Sequence, residues 1–186
     1  MNIILASKSP RRRELMTMLG FEFDVIPAVG EENVDENLTP GETVMSLAAG
    51  KAREIAAEHP ESVVIGSDTL VYLDGKPMGK PANEAEAAMM LRQLSGRVHQ
   101  VYTGVAVIHG EIEKVDFEKT DVEFRELTDD EISWYIGTGE PMDKAGSYGI
   151  QGQGAVFIPG IRGDYFNVMG LPLCKLWKML TEIQGE

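Results

Sequence analysis

The chain has 186 residues, 43% of them hydrophobic, and its formal net charge is −13 at pH 7. That length suits one domain with a sizeable core. The acidic balance argues against general binding to DNA, RNA or an anionic membrane, because such binding requires a basic surface. It still allows a small anionic ligand in a locally basic pocket.

The apolar runs are too short for a membrane span, and no signal peptide is recognisable after Met1. The single cysteine, Cys174, cannot form an internal disulfide, which is typical of a reducing compartment. We therefore predict a cytoplasmic protein without a membrane partner.

The first predicted elements are a buried strand over 3–5 and a helix that begins at Pro10, with Ser9 as its N-cap. Four cations crowd this junction: Lys8, Arg11, Arg12 and Arg13. A helix start carries partial positive charge, so these cations repel one another and the helix dipole unless an anion binds. Free N–H groups at a helix start also bind phosphate. The pattern predicts a polyphosphate site, with a solvated basic turn as the alternative.

A predicted strand over 21–26 leads into a loop with paired carboxylates at 31–32. A capping box at 39–42 then opens a helix that extends to about residue 58. Lys51 lies beside the apolar stripe of this helix. That position alone favours a lysine whose stem packs and whose amine reaches water.

The most informative predicted strand covers 63–72, where apolar residues lie on both sides of Asp68. A buried carboxylate without a partner is unfavourable, so Asp68 should be hydrogen-bonded, paired or bound to a metal. We interpret it as a metal ligand or a general base, with a structural hydrogen bond as the alternative. After a hairpin turn, Lys80 is held extended by the following proline and can reach a phosphate.

The second half begins with a predicted helix over 84–94 and a long hairpin of strands over 98–108 and 113–124. A capped helix through 136 and a glycine-rich loop over 142–154 follow. Such a loop indicates that another group approaches its backbone closely.

The last predicted elements are strands over 155–158 and 165–168 and a helix from 170–172 to about 181. The three histidines lack the spacing of metal ligands and are interpreted as structural or solvated. The order of elements predicts a mixed α/β sheet in which the middle strands form a second lobe.

A series of short motifs, in order from near the start to near the end, resembles the Maf family of nucleoside triphosphate pyrophosphatases. No single motif is specific, but together they cover essentially the whole chain. They are Ser7-Lys8-Ser9-Pro10-Arg11-Arg12, Glu31-Glu32, Lys51, Ser67-Asp68-Thr69, Gly79-Lys80-Pro81, Asp143-Lys144-Ala145-Gly146, Gly149-Ile150-Gln151-Gly152 and Val168-Met169-Gly170-Leu171-Pro172.

The resemblance implies a single α/β domain over 1–186, with a mixed, elongated, twisted sheet flanked by helices. It also implies two lobes and a cleft, similar to inosine triphosphate pyrophosphatases. The implied activity is hydrolysis of a nucleoside triphosphate between the α and β phosphates, with a divalent metal cation, Mg²⁺ or Mn²⁺. The oligomeric state stays open, with a homodimer as one candidate.

The implied roles can be placed on particular side chains. Lys51 and Lys80 would neutralise charge on the leaving pyrophosphate. Glu32 and Asp68 would hold the metal, and Asp68 could take a proton from the attacking water. Which carboxylate does which job stays open. Four residues are candidates to grip the triphosphate: Ser7, Arg11, Arg12 and Arg13.

Three positions resemble the branch of the family that acts on dTTP and UTP, namely Arg12, Thr69 and Gln151. The branch that acts on 7-methyl-GTP has an inserted aromatic residue, a glutamine and a glutamate in the corresponding motifs. A neutral amide at Gln151 could both donate to and accept from the edge of uracil or thymine. The resemblance therefore implies dTTP and UTP as substrates, with modified pyrimidine nucleotides left open.

Two other functions compete with this prediction. The family takes its name from an effect on cell division, so a nucleotide-dependent regulatory binding protein is the main alternative to an enzyme that prevents incorporation of modified nucleotides. The presence of Glu32, Lys51, Asp68 and Lys80 together favours catalysis. A phosphatase that releases single phosphates is the third possibility.

Overall fold

The computed structural model describes residues 2–30 and 37–184, so the predicted metal ligand Glu32 lies outside the described residues. Within them the strands are β1 (Ile3–Leu5), β2 (Asp24–Val25), β3 (Val63–Leu73), β4 (Lys76–Met78), β5 (Val98–His109), β6 (Ile112–Glu123) and β7 (Gly160–Arg162). The α-helices are α1 (Pro10–Thr17), α2 (Pro40–Glu58), α3 (Glu84–Leu94), α4 (Asp129–Gly137), α5 (Tyr165–Met169) and α6 (Leu173–Gln184). Short 3-10 helices occur at Glu140–Asp143, Ala145–Ser147 and Gln153–Phe157.

The helix starts follow local sequence rules. Ser9 caps α1 by accepting from the backbone N–H of Arg12, with Pro10 in the first turn. Reciprocal capping boxes open α2 and α4. The predicted starts of these three helices are therefore confirmed.

Three predicted strands differ from the structure. The strand over 21–26 shortens to β2, the segment 155–158 falls mainly in a 3-10 helix, and 165–168 forms α5. Aromatic and β-branched residues favour strands in both of the latter segments, but contacts with distant residues override this weak preference. The N–H of Arg125 donates to the carbonyl of Phe157, and the Thr103 hydroxyl donates to that of Asn167. The N–H of Gly170 donates to the carbonyls of Phe166 and Asn167, which closes α5 at its end.

The seven described strands form one mixed sheet in the order β2-β1-β3-β5-β6-β7, and β4 pairs with β3. β1 runs parallel to both β2 and β3, whereas β3–β4 and β6–β7 are antiparallel. This arrangement confirms the predicted α/β class with a mixed sheet flanked by helices. None of the described helices combines the length and apolar character that crossing a bilayer would demand.

The chain divides into two compact units, each built from separate stretches. The first unit comprises Met1–Thr69, Thr103–Glu118 and Phe166–Glu186. The second unit comprises Leu70–Tyr102 and Lys119–Tyr165. Strands β3, β5 and β6 contribute residues to both units.

In the first unit, α2 and α6 cover opposite faces of the sheet. Glu113 of β6 pairs with Arg53 of α2 at 2.5 Å, and Asp116 of β6 pairs with Lys175 of α6 at 2.5 Å. Odd and even residues of a strand point to opposite faces, so the two helices must lie on different sides.

Helix α2 approaches β3 and β5 closely because both strands carry a glycine beneath it. A Cβ at Gly66 would collide with the carbonyl oxygen of Ala48, and one at Gly104 with that of Val44. The contact also presents Lys51 toward β3, because Lys51 follows Ala48 by three residues on the same face. Small and aliphatic residues fill this contact: Ile4, Ala6, Ala48, Ala49, Ala52, Ile55, Val64, Ala106 and Ile108.

The second unit has an aromatic core around His99. The His99 ring is fully buried, lies 2.7 Å from the Tyr148 hydroxyl through Nε2, and packs edge-on against Phe124. Burial lowers the pKa of His99 to about 4, so the ring is neutral at pH 7. Of the two interpretations offered for this histidine, structural or solvated, the structural one is correct.

Candidate active site

The loop between β1 and α1 is compact and organised by a buried serine. Ser7 is 6% exposed, and its Oγ accepts from the backbone N–H of Ser9 at 3.2 Å. Ser9 in turn caps α1, whose first turn contains no acidic residue. The loop therefore delivers a helix start and its arginines next to the end of β1.

Arg12 is held in place by three hydrogen bonds from its guanidinium group. Nε donates to the carbonyl of Gly170 at 2.8 Å, Nη1 to the Ser7 hydroxyl at 3.3 Å, and Nη2 to the Thr69 hydroxyl at 3.0 Å. The planar fork of arginine suits acceptors in several fixed directions. These three protein contacts hold Arg12 in position whether or not an anion is bound.

The hydroxyl groups of Thr69 and Thr103 form a chain of hydrogen bonds in which the direction of donation is fixed. Thr103 donates its hydrogen to the carbonyl of Asn167 at 2.9 Å. The 2.9 Å contact between Thr69 and Thr103 must then use the hydrogen of Thr69. Thr69 consequently presents a lone pair to Arg12, which fixes the orientation of the acceptor.

Gly170 completes this network from the start of the last helical segment. Its carbonyl also accepts from the buried Ser67 hydroxyl at 3.1 Å. Gly170 adopts φ +112°, and an added Cβ would lie 3.4 Å from the Thr69 hydroxyl. The added Cβ would therefore only be in ordinary contact, and it is the positive φ that glycine adopts without strain.

Asp68 lies on the other face of β3 and pairs with Lys51 of α2. The Lys51 Nζ and Asp68 Oδ1 atoms are 2.5 Å apart, and both side chains are largely buried. Strand alternation explains the arrangement, because Asp68 shares the face of Gly66 that packs on α2. Its neighbours Ser67 and Thr69 point instead toward Gly170 and Arg12.

The structure thus brings Ser7, Arg12 and Thr69 into one network and pairs Lys51 with Asp68. Arg11 is half-buried and Arg13 is exposed on α1. A depression of about 600 Å³ borders the loop, and its walls include Ser7, Lys8, Ser9, Pro10, Arg13 and Val25.

The backbone leading toward Glu32 is anchored to α2. Glu54 accepts from the N–H of Val29 at 2.7 Å and from that of Gly30 at 3.0 Å. These two hydrogen bonds hold the pKa of Glu54 below its ordinary value. The chain is therefore fixed immediately before residue 31.

Lys80 and Gln151, the other predicted site residues, belong to the second unit. Lys80 is exposed between β4 and α3, and Gln151 is exposed within the loop 149–154. The carbonyl of Gly79 accepts from the N–H of Gly146 at 3.1 Å. This bond ties the segment of Lys80 to the glycine-rich stretch that continues to Gln151.

Of the two predicted metal ligands, the described residues include Asp68, which also contacts the Lys51 ammonium through Oδ1. Within residues 2–30 and 37–184, no group of three or more His, Cys, Asp or Glu side chains is arranged to bind a metal. Mg²⁺ commonly uses only one or two carboxylates together with substrate phosphates and water. Asp68 is a carboxylate of that kind.

Four residues support Arg12: Ser67, Thr103, Asn167 and Gly170. Ser67 and Gly170 belong to motifs that the sequence revealed but were given no role there, and Thr103 and Asn167 were not singled out. The available signal was a hydroxyl residue inside an otherwise apolar strand, as at Ser67 and Thr103. Their roles depend on contacts between distant segments, because Thr103 and Asn167 are 64 positions apart in the chain.

The family model described as "Maf-like protein" matches residues 2–183. A dTTP/UTP pyrophosphatase from Bacillus pumilus is 51% identical over 178 residues, covering 96% of this chain and 94% of the relative. A dTTP/UTP pyrophosphatase from Symbiobacterium thermophilum is 51% identical over 181 residues, covering 97% and 93%.

Among solved structures, a HAM1 protein from Coxiella burnetii has a similar fold. The TM-score is 0.55 at 20% identity, and the match covers 98% of this chain and 99% of that one. At this identity the similarity concerns the fold alone.

Proposed function

Because the chain belongs to the Maf family, we propose that it hydrolyses dTTP and UTP to the nucleoside monophosphate and pyrophosphate. The names of relatives about half identical over most of the chain support this activity. One observation carries the proposal. On adjacent residues of β3, Asp68 pairs with Lys51 on one face of the strand, and Thr69 contacts Arg12 on the opposite face.

The proposed reaction is attack of water on the α phosphorus, with cleavage of its bond to the oxygen that bridges the α and β phosphates. An ionised Asp68, oriented by Lys51, can take the proton from that water. The pyrophosphate leaves with the electrons of the broken bond, so cations beside it lower the barrier. Arg12 supplies such a cation, and the Ser7 hydroxyl and the N–H groups at the start of α1 can donate hydrogen bonds to the phosphates.

Three further cations have roles in this proposal. Arg11 and Arg13 extend the positive charge along α1, and Lys80 adds a point charge. A divalent cation, Mg²⁺ or Mn²⁺, held by Asp68 together with Glu32, would neutralise phosphate charge when bound.

Gln151 is proposed to select the base. Its amide offers one donor and one acceptor, which match O4 and N3–H of uracil or thymine. A site built to bond such an edge rejects a base that leaves its polar groups unpaired.

The test is a panel of nucleoside triphosphates, with Mg²⁺, with Mn²⁺ and with excess chelator. We expect pyrophosphate release from dTTP and UTP, little release from GTP, and loss of activity with the chelator. Orthophosphate as the first product would contradict the proposed bond cleavage. Tight nucleotide binding without turnover would point instead to the regulatory role. On the family resemblance we further propose removal of modified pyrimidine nucleotides before their incorporation, and an effect on cell division.

A further inference from the structure

The loop that carries Gln151 is fastened at both ends to one carboxylate and its tyrosine partner. Glu140 accepts from the N–H of Gln153 at 2.8 Å and from that of Gly154 at 3.2 Å. The Tyr135 hydroxyl accepts from the N–H of Gly149 at 3.0 Å. Three backbone N–H groups that flank Gln151 are therefore gathered on two side chains.

Tyr135 and Glu140 are linked by a hydrogen bond in which Tyr135 is the donor. Tyr135 uses a lone pair for Gly149, so its hydrogen is available for Glu140, at 2.7 Å. Burial, together with the neighbouring carboxylate, raises the pKa of Tyr135, which keeps its hydrogen in place. The hydrogen bonds to Glu140 outweigh the effect of its burial and lower its pKa, so the carboxylate is charged.

The glycines of this loop are explained by the same contacts. A Cβ at Gly152 would collide with the carboxylate of Glu140, and one at Gly154 would lie 2.7 Å from the Tyr135 hydroxyl. A Cβ at Gly149 would lie 2.8 Å from a carbon of the Lys144 side chain. The sequence predicts that something approaches this loop closely, and the approaching groups include Glu140 itself.

Lys144 supports the other side of the anchor. Its ammonium donates to the backbone carbonyl of Glu140 at 2.8 Å and to Asp143 at 2.7 Å. The segment before the loop is therefore also fixed, and Glu140 cannot readily turn away from the loop.

We propose that Glu140 is a positioning residue for base selection, which holds the loop 149–154 so that Gln151 presents its amide in a fixed place. This inference rests on the proposed function, because it assumes that Gln151 reads the base. It requires no contact between Glu140 and the nucleotide. Glu140 and Tyr135 should then affect the choice of substrate more than the chemical step.

The test is Glu140→Gln, which keeps the size of the side chain but places an NH₂ group among N–H and O–H donors. We expect the ratio of kcat/KM for UTP to that for GTP to fall roughly 10-fold or more. The loss for UTP should appear mainly in KM. Pyrophosphate should remain the product, because the groups proposed for the chemistry are untouched.

A matched control is Glu131→Gln in the same unit. Glu131 also accepts a backbone N–H, that of Thr128 at 2.9 Å, and it pairs with Arg125 at 2.7 Å. This variant should lower the unfolding temperature and leave the UTP/GTP ratio unchanged. Tyr135→Phe provides a second test if Glu140→Gln does not fold, and it should shift the ratio in the same direction.

The outcomes separate this inference from the proposed function. A wild-type protein that does not distinguish UTP from GTP would overturn both. A selective wild-type protein whose ratio is unchanged in Glu140→Gln and Tyr135→Phe would overturn the positioning role alone. An equal shift in Glu131→Gln would show that selectivity merely follows stability, which also overturns it.

Discussion

Asp68 is the residue on which the proposed chemistry depends most directly. Asp68→Asn keeps the shape of the side chain but removes the negative charge that a base or metal ligand needs. We expect kcat for dTTP to fall by about 10²–10⁴-fold. Stability should fall by about 1–3 kcal/mol, because the amide is a weaker partner for the Lys51 ammonium. Initial rates of pyrophosphate release and urea unfolding would measure both effects.

A second carboxylate that forms an ion pair with α2 provides a matched control. Glu113→Gln also replaces a carboxylate that pairs with a cation of α2, Arg53, but at an exposed site. Its turnover should match the wild type, since exposed pairs typically contribute about 0–1 kcal/mol. A normal rate for Asp68→Asn would rule out its assigned role.

Arg12→Lys tests the geometry of the guanidinium group apart from its charge. A lysine ammonium cannot bond Gly170, Ser7 and Thr69 in the plane that Arg12 uses. We expect a loss of about 1–3 kcal/mol in the free energy of unfolding. The KM for dTTP should rise roughly 10-fold, which corresponds to about 1.4 kcal/mol. Arg53→Lys is the control, because Arg53 is an exposed guanidinium that pairs with Glu113 in the same unit. It should leave KM unchanged and cost only about 0–1 kcal/mol, and equal behaviour of the two variants would contradict the network.

Single residues were predictable where local chemistry was unusual. Asp68 was identifiable because a carboxylate interrupts an apolar strand, and the structure gives it a charged partner. For Lys51 the helix position alone favoured an amine in solvent, whereas the structure places the ammonium against Asp68. The family resemblance, and not the helix pattern, had assigned Lys51 to the site. The support of Arg12 by Thr103 was not predictable, since no local pattern reveals a partner in another strand.

At the scale of elements, the close seating of α2 on the sheet positions Lys51. Gly104→Ala would place a methyl group against the backbone of Val44, which cannot move without shifting the helix. We expect a loss of about 1–3 kcal/mol or more in the free energy of unfolding. Turnover should fall as well, because Lys51 would be displaced from Asp68.

Gly50→Ala is the matched control for this prediction. Gly50 lies in the same helix, is exposed, and an added Cβ would meet nothing within 4 Å. Alanine in a helix interior is more favourable than glycine by about 0.5–1 kcal/mol. This variant should therefore be slightly stabilised with normal turnover, and a stable Gly104→Ala variant would contradict the close packing.

Elements with explicit end signals were predicted well, and those without them were not. The capping boxes of α2 and α4 fixed their starts to the residue, because cap and backbone bond each other locally. In contrast, the 3-10 helix Gln153–Phe157 has no capping side chain, and no end signal led to a prediction of α5. Their carbonyls and turns bond distant groups such as Thr103, so tertiary contacts decide their conformation.

For the whole molecule, the order of helices and strands was enough to predict the α/β class and the mixed sheet. The composition of each compact unit was harder to foresee, since both draw on separate parts of the chain. β3, β5 and β6 each supply residues to the two units, and no local signal marks where one unit ends. The motif order identified the family, because short patterns in a fixed sequence constrain the chain jointly.

The stability of the whole molecule should depend on pH through His99. Its pKa is lowered to about 4 by burial, so the unfolded chain binds a proton below about pH 6.5 before the folded one does. Stability is therefore greatest above that value and falls as the pH drops toward 4. The loss should be about 2 kcal/mol between pH 7 and pH 5, since each pKa unit corresponds to about 1.4 kcal/mol. Carboxylates with lowered pKa values, such as Glu131 at about 2, lose their contribution mainly below their ordinary value of 4.5.

Urea unfolding at pH 7 and pH 5 would measure the slope of stability against pH. The proteins to compare are the wild type, His99→Gln, and His109→Gln at the half-buried end of β5. We expect the slope to flatten only in His99→Gln, whereas equal slopes in all three proteins would show that the buried ring does not govern acid sensitivity.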